Sequence, residues 1–180
     1  MKNGKRTSVM DARQLAKALA RVADAIIRDL KKMDDVVIIG TQTRGVHLAH
    51  RIAKYIGEHT GIEPPVGVLD ITLYRDDISS IERQPLIKET DIPFDVTDKK
   101  IVLVDDVIYT GRTIRAGIDE LMDFGRPCSI KLAALIDRGQ RELPIQPDFV
   151  GKTIPTKPGD KVRVFVEEID GHDEVIVARK

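Results

Sequence analysis

Apolar residues recur at steps of three and four through Ala12, Leu15, Leu19, Val22, Ile26 and Leu30. That stripe predicts a helix from about Asp11 to Lys31 with one buried face. Asp11 suits the cap, and Gln14, three residues on, supplies the second half of a capping box. Lys31 and Lys32 stand where a helix C-terminus favours cations. The pattern then changes period. Val36-Val37-Ile38-Ile39 is an unbroken β-branched run ending at Gly40, as expected of a strand covered on both faces of a parallel sheet. After the polar loop Thr41-Gln42-Thr43-Arg44-Gly45, helical spacing returns at Val46, Ala49, Ile52, Ala53 and Ile56.

Pro64-Pro65 closes that unit, and Val66 to Tyr74 reads as the next strand. Ile101 to Val104 and Ile130 to Ile136 are further apolar strands, separated by a helix from about Arg112 to Phe124 with Gly125 as its C-cap. Strands alternating with helices predict an α/β core built on a mainly parallel sheet flanked by helices. Two segments break the pattern. Arg75 to Asp98 is polar, weakly periodic and contains Pro85 and Pro93, too long for a plain connection unless it is a lid or carries its own hairpin. Asp137 to Asp160 is rich in Pro and Gly, and Val162 to Val166 and Val175 to Val177 then read as strands of a small subdomain.

Composition narrows the class. At 180 residues, 42% hydrophobic and 32% charged, the chain is expected to be one globular domain, 1–180. No apolar run is long enough to span a bilayer, and the basic N-terminus has no apolar stretch behind it. A cytoplasmic protein without a membrane partner is the expectation. The lone Cys128 permits no internal disulfide and has no neighbouring His, so it reads as a small semi-buried residue. Twenty-nine basic and 29 acidic residues cancel, which argues against generalised nucleic-acid binding but leaves room for a local basic face. His47 and His50, three apart on a helix, lack the further partners a metal needs.

The chemistry concentrates in Ile101-Val102-Leu103-Val104-Asp105-Asp106-Val107-Ile108-Tyr109-Thr110-Gly111-Arg112-Thr113. A strand carries two carboxylates to the edge of the sheet where ligands of open α/β proteins sit. A short turn then opens a helix, whose first N–H groups and dipole favour an anion. Thr110 and Thr113 add hydroxyl donors, and Gly111 permits close approach of a phosphate. The acids would repel that phosphate but suit sugar hydroxyls or Mg²⁺. Acidic pair plus anion turn describes a ribose 5-phosphate. The segment lacks the glycine patterns of dinucleotide folds and nucleoside triphosphatases.

Val102 to Thr113 resembles the signature of type I phosphoribosyltransferases that binds phosphoribosyl pyrophosphate (PRPP). Thr43-Arg44-Gly45, Asp70 to Asp77, Arg115-Ala116-Gly117, Asp137-Arg138-Gly139 and Arg141 to Ile145 extend the likeness to the PyrR family over nearly the whole chain. That resemblance implies the type I phosphoribosyltransferase fold with a flexible lid at about 75–93 and a small C-terminal hood at about 137–180. It implies that uracil and PRPP give UMP and pyrophosphate, and that the protein binds the pyr mRNA leader under control of UMP or UTP to attenuate transcription. Two alternatives stay open: a PRPP-binding regulator without turnover, and a phosphoribosyltransferase acting on a purine.

By the same resemblance Thr43 and Arg44 hold pyrophosphate, Arg44 by paired hydrogen bonds. Asp105 and Asp106 hold the ribose and steady developing positive charge, and Val107, Ile108, Tyr109, Thr110, Gly111, Arg112 and Thr113 complete the PRPP site. Tyr74 and Arg75 belong to the lid, while Arg138 and the backbone at Val162 meet the base. Packing accounts for Val162 equally well. Mg²⁺ would be bound mainly through PRPP and water. Lys17, Arg21, Arg141, Lys152 and Lys157 could form a basic face for RNA phosphates, although a charged face also serves plain solvation. Ala20 and Asp24 stand where RNA-binding members often carry Thr and His, and Gln146 where a basic residue is expected. The family implies a homodimer or larger assembly.

Overall fold

A computed structural model of the chain describes residues 6–71 and 90–179. The capping box forms: the Asp11 carboxylate accepts the Gln14 N–H at 2.7 Å, and the Gln14 side chain accepts the Asp11 N–H at 3.0 Å. It opens α1 (Ala12–Leu30), whose apolar stripe is buried from Leu15 to Leu30 while Ala12 is exposed. β2 (Val36–Thr41) follows, buried at every position. Its two faces feed two cores. Val36 and Ile38 pack in the cluster that contains α1 and α2 (Arg44–Thr60), whereas Val37 and Ile39 pack in the cluster that contains α3 (Arg112–Asp123). Burial on both sides is why this strand reads as a continuous apolar run.

The described residues form a five-stranded sheet in the order β3 (Val66–Leu69), β2, β4 (Lys100–Ile108), β5 (Ser129–Asp137), β6 (Phe149–Thr153). All four pairings are parallel. A second, antiparallel sheet joins β1 (Arg6–Met10), β8 (Glu174–Ala178) and β7 (Lys161–Phe165), with the short α4 (Glu167–Asp170) between β7 and β8. No helix among the described residues is long and apolar enough to cross a membrane.

Several sequence expectations are adjusted. β4 runs past Val104 to Ile108, because β5 continues beside it and pairs Val107 with Ile136 and Ile108 with Asp137. The acidic pair therefore lies inside the strand. β3 is described only to Leu69, and residues 72–74 lie outside the described residues, as do Tyr74, Arg75 and the expected lid up to residue 89. Where description resumes, Asp91 bridges back to Val68, and Thr90 accepts the Asp70 N–H at 3.0 Å. The α3 cap is Phe124, one residue before the expected Gly125. A Cβ at Gly125 would lie 2.6 Å from Thr97 Oγ1, so close packing accounts for that glycine.

The stretch after Asp137 divides. β6 completes the central sheet, and its Gly151 is what hid it from the sequence pattern. A Cβ there would fall 2.6 Å from the Leu135 carbonyl and 3.3 Å from Ala18, so glycine lets α1 lie against the strand. β7, α4 and β8 form the smaller sheet together with β1, an N-terminal strand whose exposed Arg6-Thr7-Ser8 carry no apolar signal.

Candidate functional site

β2 ends at Thr41, beside Asp105 of β4, which runs on to Ile108. Thr41 donates its hydroxyl to the Asp105 carboxylate at 2.6 Å, and Asp105 is only 8% exposed. α2 starts hard against this edge: a Cβ on Gly45 would lie 2.6 Å from the Val104 carbonyl and 2.5 Å from Thr41 Oγ1. Asp106, on the opposite face by strand alternation, is half-buried and accepts the N–H of Val107 at 2.9 Å.

Beyond Ile108 the chain turns through Tyr109, Thr110 and Gly111, and the carbonyls of Ile108, Tyr109 and Thr110 are held by one segment, while Gly111 O accepts from Arg115 N of α3 at 2.9 Å. Ile108 O accepts from Arg138 N at 3.2 Å. Tyr109 O accepts from the Arg141 guanidinium at 2.8 Å. Thr110 O accepts from Glu142 N at 2.9 Å and Leu143 N at 3.1 Å. In a trans peptide the N–H points opposite to the C=O. The amides of Tyr109, Thr110 and Gly111 are therefore aimed away from residues 138–143. Gly111 has φ +93° and caps α3, a conformation that favours glycine. Thr110 Oγ1 accepts the Arg112 N–H at 3.2 Å.

A cleft of about 380 Å³ opens over this edge. Asp105, Asp106, the turn from Val107 to Gly111, and Thr113 line its floor, with Gln42 and Arg44 at one side and Arg138 at the other. Val162 to Phe165 of β7 form the wall contributed by the smaller sheet. Arg138 is buried, donates to the Asp160 carbonyl at 2.8 Å, and lies 4.0 Å over the Tyr109 ring. Desolvation lowers its pKa from the usual guanidinium value.

The structure thus brings together most of the residues expected from sequence. Thr43 and Arg112 fall outside the lining: Thr43 precedes α2, after a cis Gln42–Thr43 peptide, and Arg112 pairs with Glu142 at 2.8 Å. Gln42, Arg163, Val164 and Phe165 line the cleft without having been singled out. Phe165 and its neighbours were legible only as strand residues, since nothing local marks which face of β7 meets the site.

The basic residues separate. Lys17 and Arg21 are exposed on α1, and Arg21 donates to the Gly151 carbonyl at 2.9 Å, next to Lys152 on β6. Lys152 donates to Val9 O at 2.6 Å, and Lys157 is exposed in the loop before β7. Arg141 is a correction to the expected RNA face. Its side chain is 10% exposed, bound to the Tyr109 and Ile145 carbonyls and 2.8 Å from Asp137. One guanidinium satisfies several converging oxygens, so it is an internal anchor of the turn. Asp24 accepts the Tyr55 hydroxyl at 3.1 Å.

Sequence reasoning missed a set of ion pairs between α2 and the smaller sheet. Arg44 donates from Nε and Nη2 to both oxygens of Asp170, at 3.1 and 2.8 Å. Arg51, two turns along the same helix, grips Glu168 at 2.9 and 2.7 Å and Asp173 at 2.7 and 2.9 Å. The Arg44 hydrogen bond holds the Asp170 carboxyl below its usual pKa. For Glu168 and Asp173 burial works to raise the pKa, but hydrogen bonds led by Arg51 outweigh it and the net direction is down. Such depressed carboxyls stabilise the fold above the ordinary value of about 4 and lose that contribution as pH falls through the lower folded values.

A family model described as "Phosphoribosyl transferase domain" matches residues 5–171. The "Bifunctional protein PyrR" of Thermoanaerobacter sp. (strain X514) is 54% identical over 175 residues, covering 97% of this chain and 98% of that one. The protein of the same name from Thermus aquaticus is 55% identical over 170 residues, 94% of each. The chain belongs to the PyrR family. Among solved structures, hypoxanthine phosphoribosyltransferase from Trypanosoma cruzi in complex with IMP superposes with a TM-score of 0.73 at 14% identity, over 99% of this chain and 92% of that one. A hypoxanthine-guanine phosphoribosyltransferase from Bacillus anthracis gives a TM-score of 0.67 at 20% identity, over 99% and 100%. At that identity the likeness is one of fold. The PyrR-family chain therefore has the type I phosphoribosyltransferase architecture, its parallel sheet carrying the acidic pair at the C-terminal edge.

Proposed function

We infer that this PyrR-family protein transfers the phosphoribosyl group of PRPP to uracil, forming UMP and pyrophosphate, and regulates pyrimidine genes by binding the pyr mRNA leader in response to UMP or UTP. The observation that carries the enzymatic reading is the turn at Tyr109 to Gly111. The carbonyls of Ile108, Tyr109 and Thr110 are held by residues 138–143, so the amides of the same peptides, at Tyr109, Thr110 and Gly111, face the other way, at the mouth of α3 and beside two carboxylates. Backbone donors at a helix start take the 5-phosphate, with Thr110 and Thr113 adding hydroxyls. Asp105 and Asp106 take the ribose hydroxyls.

In the reaction the bond between ribose C1 and the pyrophosphate oxygen breaks, the C1–N1 bond to uracil forms, and uracil gives up its N1 proton. Positive charge grows on the ribose as pyrophosphate leaves, and carboxylates fixed in place beforehand stabilise it without reorganising. Asp105, oriented by Thr41, is such a group. Arg44 neutralises the departing pyrophosphate. Arg138 and the backbone near Val162 border the base. Mg²⁺ accompanies PRPP and balances the charge of its pyrophosphate. Among the described residues no three acids, His or Cys converge on one point, so PRPP oxygens and water would supply most of its shell.

The RNA reading rests on Lys17 and Arg21, exposed on α1, where Arg21 reaches the Gly151 carbonyl of β6, and on Lys152 and Lys157. The protein works in the cytoplasm as a homodimer or larger assembly. Labelled uracil, PRPP and Mg²⁺ should yield UMP, and Asp105→Asn and Asp106→Asn should each cut turnover about 100-fold or more. Unchanged turnover in both would defeat the assignment, and preference for hypoxanthine or guanine in a base panel would shift it to a purine. A gel shift with the leader, strengthened by UMP, tests the regulator; no shift at low salt removes that part.

A further inference from the structure

We propose that Asp170 is a positioning residue for the transfer reaction, orienting the Arg44 guanidinium so that its remaining N–H groups meet the pyrophosphate of PRPP. This rests on the reading of Arg44 as the pyrophosphate ligand. Three features support it. First, the contact is bidentate: Asp170 takes one edge of the guanidinium through Nε and Nη2. Of the five N–H donors of an arginine, two are used, and the other edge keeps its donors for a second anion. Second, Arg44 lines the cleft while Asp170 is not part of the lining, so the carboxylate grips the arginine from behind.

Third, Asp170 is itself held. Its Oδ2 accepts the Val166 N–H at 2.9 Å. The α4 segment that carries it is tied to α2 by Arg51, through Glu168 and Asp173. Arg44 and Arg51 stand two turns apart on one helix, so the carboxylate is registered against the same element that carries its target. A long side chain 30% exposed would otherwise sample many rotamers, and fixing it beforehand removes that cost when the anion arrives. His172, whose Nδ1 lies 3.1 Å from the Asp170 carbonyl and can only donate to it, and His47, close enough to Glu168 to influence it, are titratable neighbours of this seam.

The test compares wild type, Asp170→Asn, Arg44→Ala and the double variant, measuring KM for PRPP, KM for uracil, kcat, and the Kd of Mg²⁺-pyrophosphate by calorimetry. Asp170→Asn keeps the shape and the Val166 contact but removes the charge. It should raise KM for PRPP and the Kd of pyrophosphate about tenfold while KM for uracil stays within twofold. In the Arg44→Ala background the same change should add nothing, since its target is gone. If Arg44→Ala weakens PRPP and Asp170→Asn does not, the inference fails and the reading of Arg44 survives. If Arg44→Ala leaves PRPP binding intact, that reading falls and the inference with it. Tighter PRPP binding by Asp170→Asn would make Asp170 a competitor and also overturn it. Thermal midpoints of all four proteins, with Asp170→Glu as a charge-retaining variant that recovers part of the PRPP affinity, separate positioning from loss of fold.

Discussion

The two walls of the cleft are built on different principles. The floor, from Thr41 and Gly45 to Asp105 and Gly111, is a sheet edge in close backbone contact, where a single added carbon would meet a carbonyl 2.6 Å away. The wall from the smaller sheet reaches α2 through charge: Arg44 and Arg51 against Glu168, Asp170 and Asp173. Packing at the floor tolerates no adjustment, which suits amides and carboxylates that must be in place before substrate arrives. Partly exposed ion pairs are weaker and respond to salt and acid, which suits a part that must admit and release a ligand.

Gly45→Ala should be the most damaging change, since its Cβ would strike both the Val104 carbonyl and Thr41. We expect a loss of about 3 kcal/mol, read as a drop in thermal midpoint of roughly 6–12 °C. A midpoint within 1–2 °C of wild type would mean the floor yields as readily as the hood. Next comes Arg141→Gln. Removing the guanidinium leaves the Tyr109 and Ile145 carbonyls without their charged donor, so UMP affinity should fall by about 2 kcal/mol, some 30-fold. Unaltered UMP binding with weakened RNA binding would return Arg141 to the RNA face. The smallest effect belongs to Arg51→Ala, about 1 kcal/mol after solvent screening. Its signature is conditional: the difference from wild type should shrink in high salt and as pH falls from about 4 through the lowered folded values at which the acids protonate, and remain constant from pH 6 to 8. A difference independent of both would mean that the hood is held by packing.

The same contrast explains what could be read in advance. The floor is local in sequence: one strand, one turn and one helix start lie within Ile101 to Thr113, and residue type at fixed offsets reveals their chemistry. The parallel core was equally legible, because strands covered on both faces become continuous apolar runs. The hood pairs join residues 117 to 126 positions apart, and an Arg or Asp on an exposed-looking stretch has no periodic signature. Arg141 went astray for that reason, a charged residue taken for a surface one. β6 was hidden by its glycine, and β1 by three polar side chains on a strand whose partner lies at the far end of the chain.

That last pairing has a consequence for biogenesis. The central sheet is complete once Thr153 has been made, but β8 occupies the middle of the three-stranded order β1-β8-β7. During synthesis β1 emerges early and must wait, unpaired, until residues 174–178 leave the ribosome. The nascent protein therefore has the turn from Tyr109 to Gly111 well before it has the wall that faces it.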